Sequence, residues 1–406
     1  MLGIGIEDET STLTQGHLRT AWALIDSFGW NGIKTRLQGA DVKVAGIRSS
    51  ECRPLNARAI ARALGAWYAR ARRDLPWRRS RDPYRVWVSE IMLQQTQVER
   101  VKDFYQRFLA LFPTVESLAA ADEHDVLRAW EGLGYYRRAR QMHAAAKVLA
   151  TEHGGIFPRT VAALRGLPGI GRYTAGAIAS IAMDLPEPIV EANSRRVLAR
   201  LAGYAKRLDR PGGDEPIWKI AHSLVPQRDA GRFNQALMDL GAMVCTPDRP
   251  LCTACPLARM CDAKNSGRVS RIPMKSVRRA TKQLREAAII VRRGARVLVQ
   301  KREEGEWWAG LWDFPRVQAA ARKIHQAIGE SKTLQPLACT QPKALGTFTH
   351  TVTHHRITLA VVACTAARTG KLSQNLAWVA VDKLGELAMT SPGRRIAKMI
   401  AQPSVR

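Results

Sequence analysis

From Pro54 to about Asp262, apolar residues recur at intervals of three and four almost without a break. Val98, Val101, Phe104, Tyr105, Phe108 and Leu109 form one such stripe, and Leu118 to Trp130 a second. This spacing puts apolar side chains on one helix face, so it predicts packed amphipathic helices. Phe112-Pro113, Gly154-Gly155 and Leu167-Pro168-Gly169 punctuate them, because proline and glycine end helices readily. The period changes near residue 286. Ala287 to Val291 and Val297 to Gln300 flank Arg292-Arg293-Gly294-Ala295, a strand–turn–strand signature. Ile357 to Ala363 and Ala377 to Val381 read as further strands. The pattern therefore predicts a mostly α domain over 54–262 and an α+β domain over 286–406. Residues 1–53 show no sustained period and are expected to be an extension without regular structure.

Charge narrows the choice of partner. The 406-residue chain holds 63 Lys and Arg against 35 Asp and Glu, a formal net charge of +28. Such an excess predicts a polyanion, since neutralising phosphates releases counterions. No apolar run is long enough to span a bilayer, and the N-terminus lacks the basic start and apolar stretch of a signal peptide. Residues 263–285 hold eight Lys or Arg and no acid. They read as a linker lying along nucleic acid, or as a solvated basic spacer.

Cys245, Cys252, Cys255 and Cys261 are crowded at the end of the helical part, spaced C-x6-C-x2-C-x5-C. Seven cysteines is an odd total, which argues against a disulfide framework and for a reducing compartment. Four thiolates suit an iron–sulfur cluster or zinc, and spacing alone does not choose between them. Between the first two ligands Arg249 can face a phosphate. Cys52, Cys339 and Cys364 read as ordinary cysteines.

Two further segments carry chemistry. In Leu167-Pro168-Gly169-Ile170-Gly171-Arg172-Tyr173, Gly169 and Gly171 allow a tight turn directly before a helix. Free N–H groups there can receive a phosphate, although a plain helix–helix connection uses the same residues. In Pro83 to Gln97 a single acid, Glu90, lies among apolar residues. Burial would raise its pKa and suit it to general-acid work, whereas a cap or a buried ion pair is the structural alternative.

Leu75-Pro76-Trp77-Arg78, the run SEIMLQQTQV from Ser89 to Val98, and Gly132-Leu133-Gly134-Tyr135-Tyr136 resemble the adenine DNA glycosylases, within the endonuclease III superfamily. The resemblance covers about 55–400 and is strongest over 75–262. It implies a mostly α helix-hairpin-helix glycosylase domain with a [4Fe–4S] cluster on the four cysteines, plus a C-terminal α+β Nudix-like domain. It implies a cytoplasmic monomer acting on double-stranded DNA, hydrolysing the N-glycosidic bond of adenine mispaired with 8-oxoguanine or guanine. Extrusion of the adenine suits that chemistry, because the bond is out of reach inside a stacked duplex.

The resemblance also distributes roles. Glu90 matches the acid that protonates adenine, which is a poor leaving group until then. Arg78 and Gln235 match residues lining the adenine pocket, Gln95 the residue that fills the gap in the stack, and Tyr135 the wedge beside the damaged base. Tyr173 stands where related glycosylase/lyases carry the lysine that forms a Schiff base, so base removal without strand cleavage is expected. The segment Pro188 to Val197 resembles the one that supplies a catalytic aspartate followed by glycine and asparagine. Here those positions hold Glu191, Ala192 and Asn193. Glu191 supplies the anion that the developing oxocarbenium ion requires, or forms an ion pair with a nearby arginine.

Trp307 to Pro315 and the later strands resemble the Nudix-like domain of this family. Residues 316–334 contain Glu330 as their single acid, so the glutamate cluster that holds magnesium for pyrophosphate hydrolysis is missing. The domain is expected to recognise 8-oxoguanine through Val352-Thr353-His354, aligned with a Phe-Ser-His loop. Thr353 and His354 keep the hydrogen-bonding capacity, and Val352 lacks the aromatic ring. The tryptophan-rich run is read as core. A bifunctional glycosylase/lyase and a catalytically weakened DNA-binding homologue are the competing readings.

Overall fold

The computed structural model describes residues 55–274, 280–319, 321–340, 342–368 and 372–401. The expected extension over 1–53 and linker residues 275–279 lie outside the described residues. The helical part comprises α1 (Ala57–Ala71), α2 (Pro83–Leu93), α3 (Val98–Leu111), α4 (Val115–Ala120), α5 (Glu123–Ala129) and α6 (Arg137–Glu152). It continues with α7 (Val161–Gly166), α8 (Arg172–Ala177), α9 (Ala192–Ala202), α10 (Glu215–Leu224), α11 (Ala230–Met243) and α12 (Asp262–Asn265). Short polar side chains start several of them. Asn56 accepts from the Ala59 N–H at 3.0 Å, and Asp82 from the Arg85 N–H at 2.8 Å. Such caps satisfy N–H groups that a helix start leaves without partners.

The helices bury two apolar clusters. One, around Trp87, Phe108 and Trp130, draws on α2 to α8. The other, around Leu64, Trp218 and Leu237, draws on α1, α9 to α11 and the cysteine loop. Side chains from both halves meet in a single cleft. Helix α2 is buried without interruption from Val86 to Met92, so any polar group on it has little access to water. Between α7 and α8 runs the expected hairpin. Gly169 holds φ of 73°, and a Cβ there would lie 2.6 Å from Cβ of Gln141, so two reasons exclude a side chain.

The C-terminal part is a sheet of seven strands with helices on both faces. The strands are β1 (Lys282–Arg293), β2 (Arg296–Lys301), β3 (Trp312–Asp313), β4 (Arg316–Gln318), β5 (Lys343–Val352), β6 (His355–Thr365) and β7 (Leu376–Ala380). The order is β3-β2-β1-β6-β5, with β4 on β1 and β7 on β2; β1 and β6 run parallel and the other pairs antiparallel. Ala287, Ile289 and Val291 pack toward α13 (Ile324–Glu330), while Ala288 and Ile290 pack toward α14 (Ser391–Ala401). Burial on both faces makes β1 a continuous apolar run rather than an alternating one.

Strand β1 begins at Lys282, inside the stretch read as linker. Residues 282–285 pair with His355 to Thr358 of the long β6, which gives their backbone groups partners while their charged side chains reach solvent. The tryptophan run is core over most of its length: Ala309, Leu311 and Phe314 are buried, and Trp308 and Trp312 pack against the cores, whereas Trp307 is 38% exposed.

The two parts dock through side chains as well as through the chain. Leu311 and Ala388 join the core around Trp130. Glu131 accepts from Nε and Nη2 of Arg394 at 2.6 and 2.9 Å. Among the described residues, no helix is long and apolar enough to cross a membrane.

Candidate active site

A cavity of about 500 Å³ opens in the cleft between the two helical clusters, lined by Glu90, Tyr173, Glu191, Asn193, Arg78, Gln95 and Gln235 among others. The structure thus gathers seven of the residues predicted from sequence around one space. Glu90 comes from the last turn of α2 and is 4% exposed. Burial raises its pKa to about 7; the Tyr173 hydrogen bond opposes that rise, the Glu191 charge adds to it, and Arg78 opposes it. The Tyr173 hydroxyl donates directly to Glu90 Oε2. Burial, followed by the Glu90 charge, drives the Tyr173 phenol well above its usual pKa, so it stays protonated and keeps a hydrogen to donate to the Glu90 carboxylate.

Glu191 is the N-cap of α9. Its two carboxylate oxygens accept from the N–H groups of Asn193 and Ser194, each at 2.7 Å, and Ser194 Oγ accepts from the Glu191 N–H at 2.9 Å. The structural alternative for this residue, an arginine ion pair, gives way to a helix cap. The reason is local: Glu at this position folds back onto two N–H groups that need partners. Its charge adds to the rise that burial produces in the Glu90 pKa. Asn193 Oδ1 accepts from Arg196 at 2.9 Å, and Arg196 also donates to the carbonyls of Gly241 and Cys245. The pocket end of α9 and the cysteine loop therefore share one guanidinium.

Two supporting residues were not picked out from sequence. Asp239 is fully buried and holds Arg78 in a two-pronged contact at 2.6 and 2.9 Å, while also accepting from Arg73 Nε at 2.7 Å. Its signal is its position one turn beyond Gln235 on α11. Gln235 itself accepts from the Tyr68 hydroxyl at 2.8 Å. Arg138 is the other. Its guanidinium donates to the carbonyls of Ile91, Met92 and Gln94 at 2.7, 2.9 and 2.5 Å, and to those of Leu133 and Gly134 at 3.3 and 3.1 Å. Burial lowers its pKa to about 10, so it remains a cation at neutral pH. It falls on the apolar stripe Met142, Ala145, Leu149 of α6, an unusual place for a charge.

Arg138 joins two loops with unusual backbones. Gln95 has φ of 56° and Tyr135 φ of 49°, a region that non-glycine residues occupy reluctantly and often at functional sites. Both side chains are exposed. Tyr135 faces a second cavity, of about 930 Å³, whose other wall includes Thr353 of the β5–β6 hairpin. His354 lies beside Thr353 at the hairpin tip, with Nδ1 3.4 Å from Thr353 Oγ1. Gly171 caps α8, and a Cβ added there would meet nothing within 4 Å.

The four clustered cysteines lie half-buried beside α9, and the Cys255 thiol is pushed up to about 11 by burial, with the other three thiols adding to the effect. Arg200 Nη1 lies 3.3 Å from Cys245 Sγ and pins the loop through the carbonyls of Thr246, Pro247 and Ile272. Among the described residues, no three His, Cys, Asp or Glu side chains stand close enough together to hold a metal ion. The donor set nevertheless fits a soft metal cluster in chemistry: four thiols within electrostatic reach of one another, with a guanidinium able to hydrogen-bond sulfur.

The chain matches the family described as HhH-GPD superfamily base excision DNA repair protein over residues 88–214, and a NUDIX domain over 286–399. It is 36% identical over 359 residues to the adenine DNA glycosylase of Rattus norvegicus, spanning 75% of this chain and 70% of that one. It is 37% identical over 251 residues to the adenine DNA glycosylase of Buchnera aphidicola subsp. Acyrthosiphon pisum, spanning 62% and 72%. A solved thermostable thymine-DNA glycosylase aligns at a TM-score of 0.48 with 29% identity, over 52% of this chain and 97% of that one. On these sequence matches, the chain belongs to the adenine DNA glycosylase family.

Proposed function

We propose that the protein excises adenine opposite 8-oxoguanine or guanine in double-stranded DNA, acting as a monomer and without cutting the strand. The observation that carries this reading is the buried Glu90 carboxyl, held near neutral pKa at the wall of a cavity. With adenine extruded into the cavity, Glu90 gives its proton to a ring nitrogen. The glycosidic bond then breaks with its electron pair leaving on the base, and the sugar becomes an oxocarbenium ion. Glu191 supplies the negative charge that stabilises this ion, and Asn193 holds its place beside it. Water adds at the sugar carbon and gives its proton to the Glu90 carboxylate, which restores the acid. Arg78, oriented by Asp239, and Gln235, oriented by Tyr68, position the base. Gln95 fills the vacated stack, Tyr135 wedges beside the opposite base, and the Gly169–Gly171 hairpin takes a phosphate through its N–H groups.

Strand cleavage would require an amine to attack the sugar. Position 173 is a tyrosine, and no lysine lines the cavity among the described residues. Cys245, Cys252, Cys255 and Cys261 would hold a [4Fe–4S] cluster, which when bound fixes the loop carrying Arg249 through four iron–thiolate bonds. Free thiols of this kind suit a reducing compartment, the cytoplasm. Thr353 and His354 at the hairpin tip offer hydrogen bonds to the opposite base.

Single-turnover assays on A:8-oxoguanine and A:G duplexes, read with and without alkali, test the reading. Adenine is expected to leave both duplexes while the strand stays whole until alkali is added. Cleavage without alkali, together with efficient trapping of a covalent complex by borohydride, would overturn the monofunctional assignment.

A further inference from the structure

The second cavity has an aromatic surface that the functional reading does not use. Trp307 sits on its rim, 38% exposed, where a tryptophan with no partner would normally bury more. The ring is not loose. It lies edge-on to Trp308, with centroids 6.3 Å apart, and tilted against His355 at 5.0 Å. Nδ1 of His355 lies 3.4 Å from Thr353 Oγ1, so the ring is tied through one imidazole to the tip of the β5–β6 hairpin. Around the same cavity, Tyr135, Trp308 and Thr353 have φ of 49°, 62° and 52°. Three such non-glycine backbones on one cavity mark a surface shaped for a ligand rather than for stability.

The occupant follows from what the cavity adjoins. Tyr135 is braced by Arg138 to the loop carrying Gln95, and Gln95 lines the Glu90 cavity. A duplex that delivers adenine to Glu90 therefore leaves the base formerly paired with it on the Tyr135 side. Arg137 and Arg395 are exposed on the same rim and can meet the phosphates of that strand. We infer that Trp307 is a specificity-determining residue, the stacking platform for the base opposite adenine, with the Thr353 hydroxyl at that base's edge. This rests on the reading that the C-terminal domain recognises the opposite base. The pairing suits 8-oxoguanine in particular. The oxidised purine presents a C8 carbonyl where guanine has a C–H, so a hydroxyl that donates to that oxygen gains a hydrogen bond guanine cannot accept, while the ring holds either face. Position 352 is valine, which lines the cavity but offers no ring; Trp307 supplies one from a different strand connection.

The test uses the full chain and duplexes carrying an uncleavable 2′-fluoro adenosine analogue opposite 8-oxoguanine, guanine or an abasic analogue. Affinities are compared for the wild type, Trp307→Phe and Trp307→Ala, with thermal unfolding recorded for each. Trp307→Ala is expected to reduce the preference for 8-oxoguanine over the abasic analogue by about tenfold or more, the scale of one lost base–aromatic stack. Trp307→Phe is expected to retain most of it. If the wild type prefers 8-oxoguanine and Trp307→Ala keeps that preference, or if both ratios fall only in step with lost stability, Trp307 is not the platform. If the wild type itself shows no preference among the three, the opposite-base reading fails and the inference falls with it.

Discussion

A carboxyl group that is to donate a proton at neutral pH has to be kept from ionising, and the surroundings of Glu90 suit the acid role proposed for it. Its neighbours from Val86 to Met92 are buried, which costs the ionised form its hydration. Tyr173 stabilises the anion and limits the rise, while Glu191 repels it and adds to the rise. Excision under single-turnover conditions should therefore be fast while Glu90 is protonated and fall as pH increases through about 7. Glu90→Gln should abolish release while DNA affinity stays within a few fold, because the phosphate contacts lie elsewhere. Glu191→Gln should slow excision about a hundredfold, the scale of losing one electrostatic group, and should also move the falling limb to lower pH, since the repelling charge is gone. A pH profile of the Glu191→Gln variant that superimposes on the wild type would show that Glu191 acts only as the cap of α9.

At the scale of elements, the proposed site draws on two loops held together from one helix. Residues 94–97 follow α2, and residues 132–136 precede α6; Arg138 ties their carbonyls together. Arg138→Ala would leave several carbonyls without donors, at roughly 1–3 kcal/mol for each one that water cannot reach. Arg138→Lys would keep the charge but lose the fork that spans both loops. Hydrogen exchange should rise in both loops of the Lys variant, and excision should drop about tenfold or more; unchanged exchange would dismiss the brace. This element also marks the boundary of what the sequence discloses. Helical stripes and the buried run of β1 are visible because period follows burial. Glu90 stands out as a lone acid in an apolar run. Asp239 is a lone acid of the same kind, and Arg138 is one of three arginines within residues 137–140, yet the partners that distinguish them lie 44–47 positions from Arg138 and 161–166 from Asp239, so their purpose becomes plain only in three dimensions. Trp307 departs from the core reading of its run for the opposite reason, since an aromatic-rich run looks alike whether each ring is buried or reaches the surface.

At the scale of the whole molecule, the question is whether two parts can read two bases of one mispair. The Glu90 cavity belongs to the helical part, and Thr353 belongs to the sheet, so discrimination at a distance requires a fixed angle between them. The contact that sets it is partly apolar, through Leu311 and Ala388, and partly ionic. Glu131 takes two hydrogen bonds from Arg394, which also donates to the carbonyls of Leu384 and Leu387. These partners are 263 positions apart, and both side chains are mostly buried, 18% and 19% exposed. Glu131 is also the residue just before the Gly132–Tyr136 loop, so the latch acts on the segment that carries Tyr135, the proposed wedge. Glu131→Gln would leave the Arg394 charge half-buried beside a neutral amide, a loss felt at the interface rather than in either core. The expected result is selective. Adenine excision opposite guanine, which lacks the C8 carbonyl the hairpin is proposed to read, should stay within about threefold of wild type. Excision opposite 8-oxoguanine should fall about tenfold, because the hairpin no longer sits at the distance the duplex requires. Equal losses on the two substrates would mean that Glu131 supports the fold as a whole, and that the angle between the parts is set by the apolar contact alone.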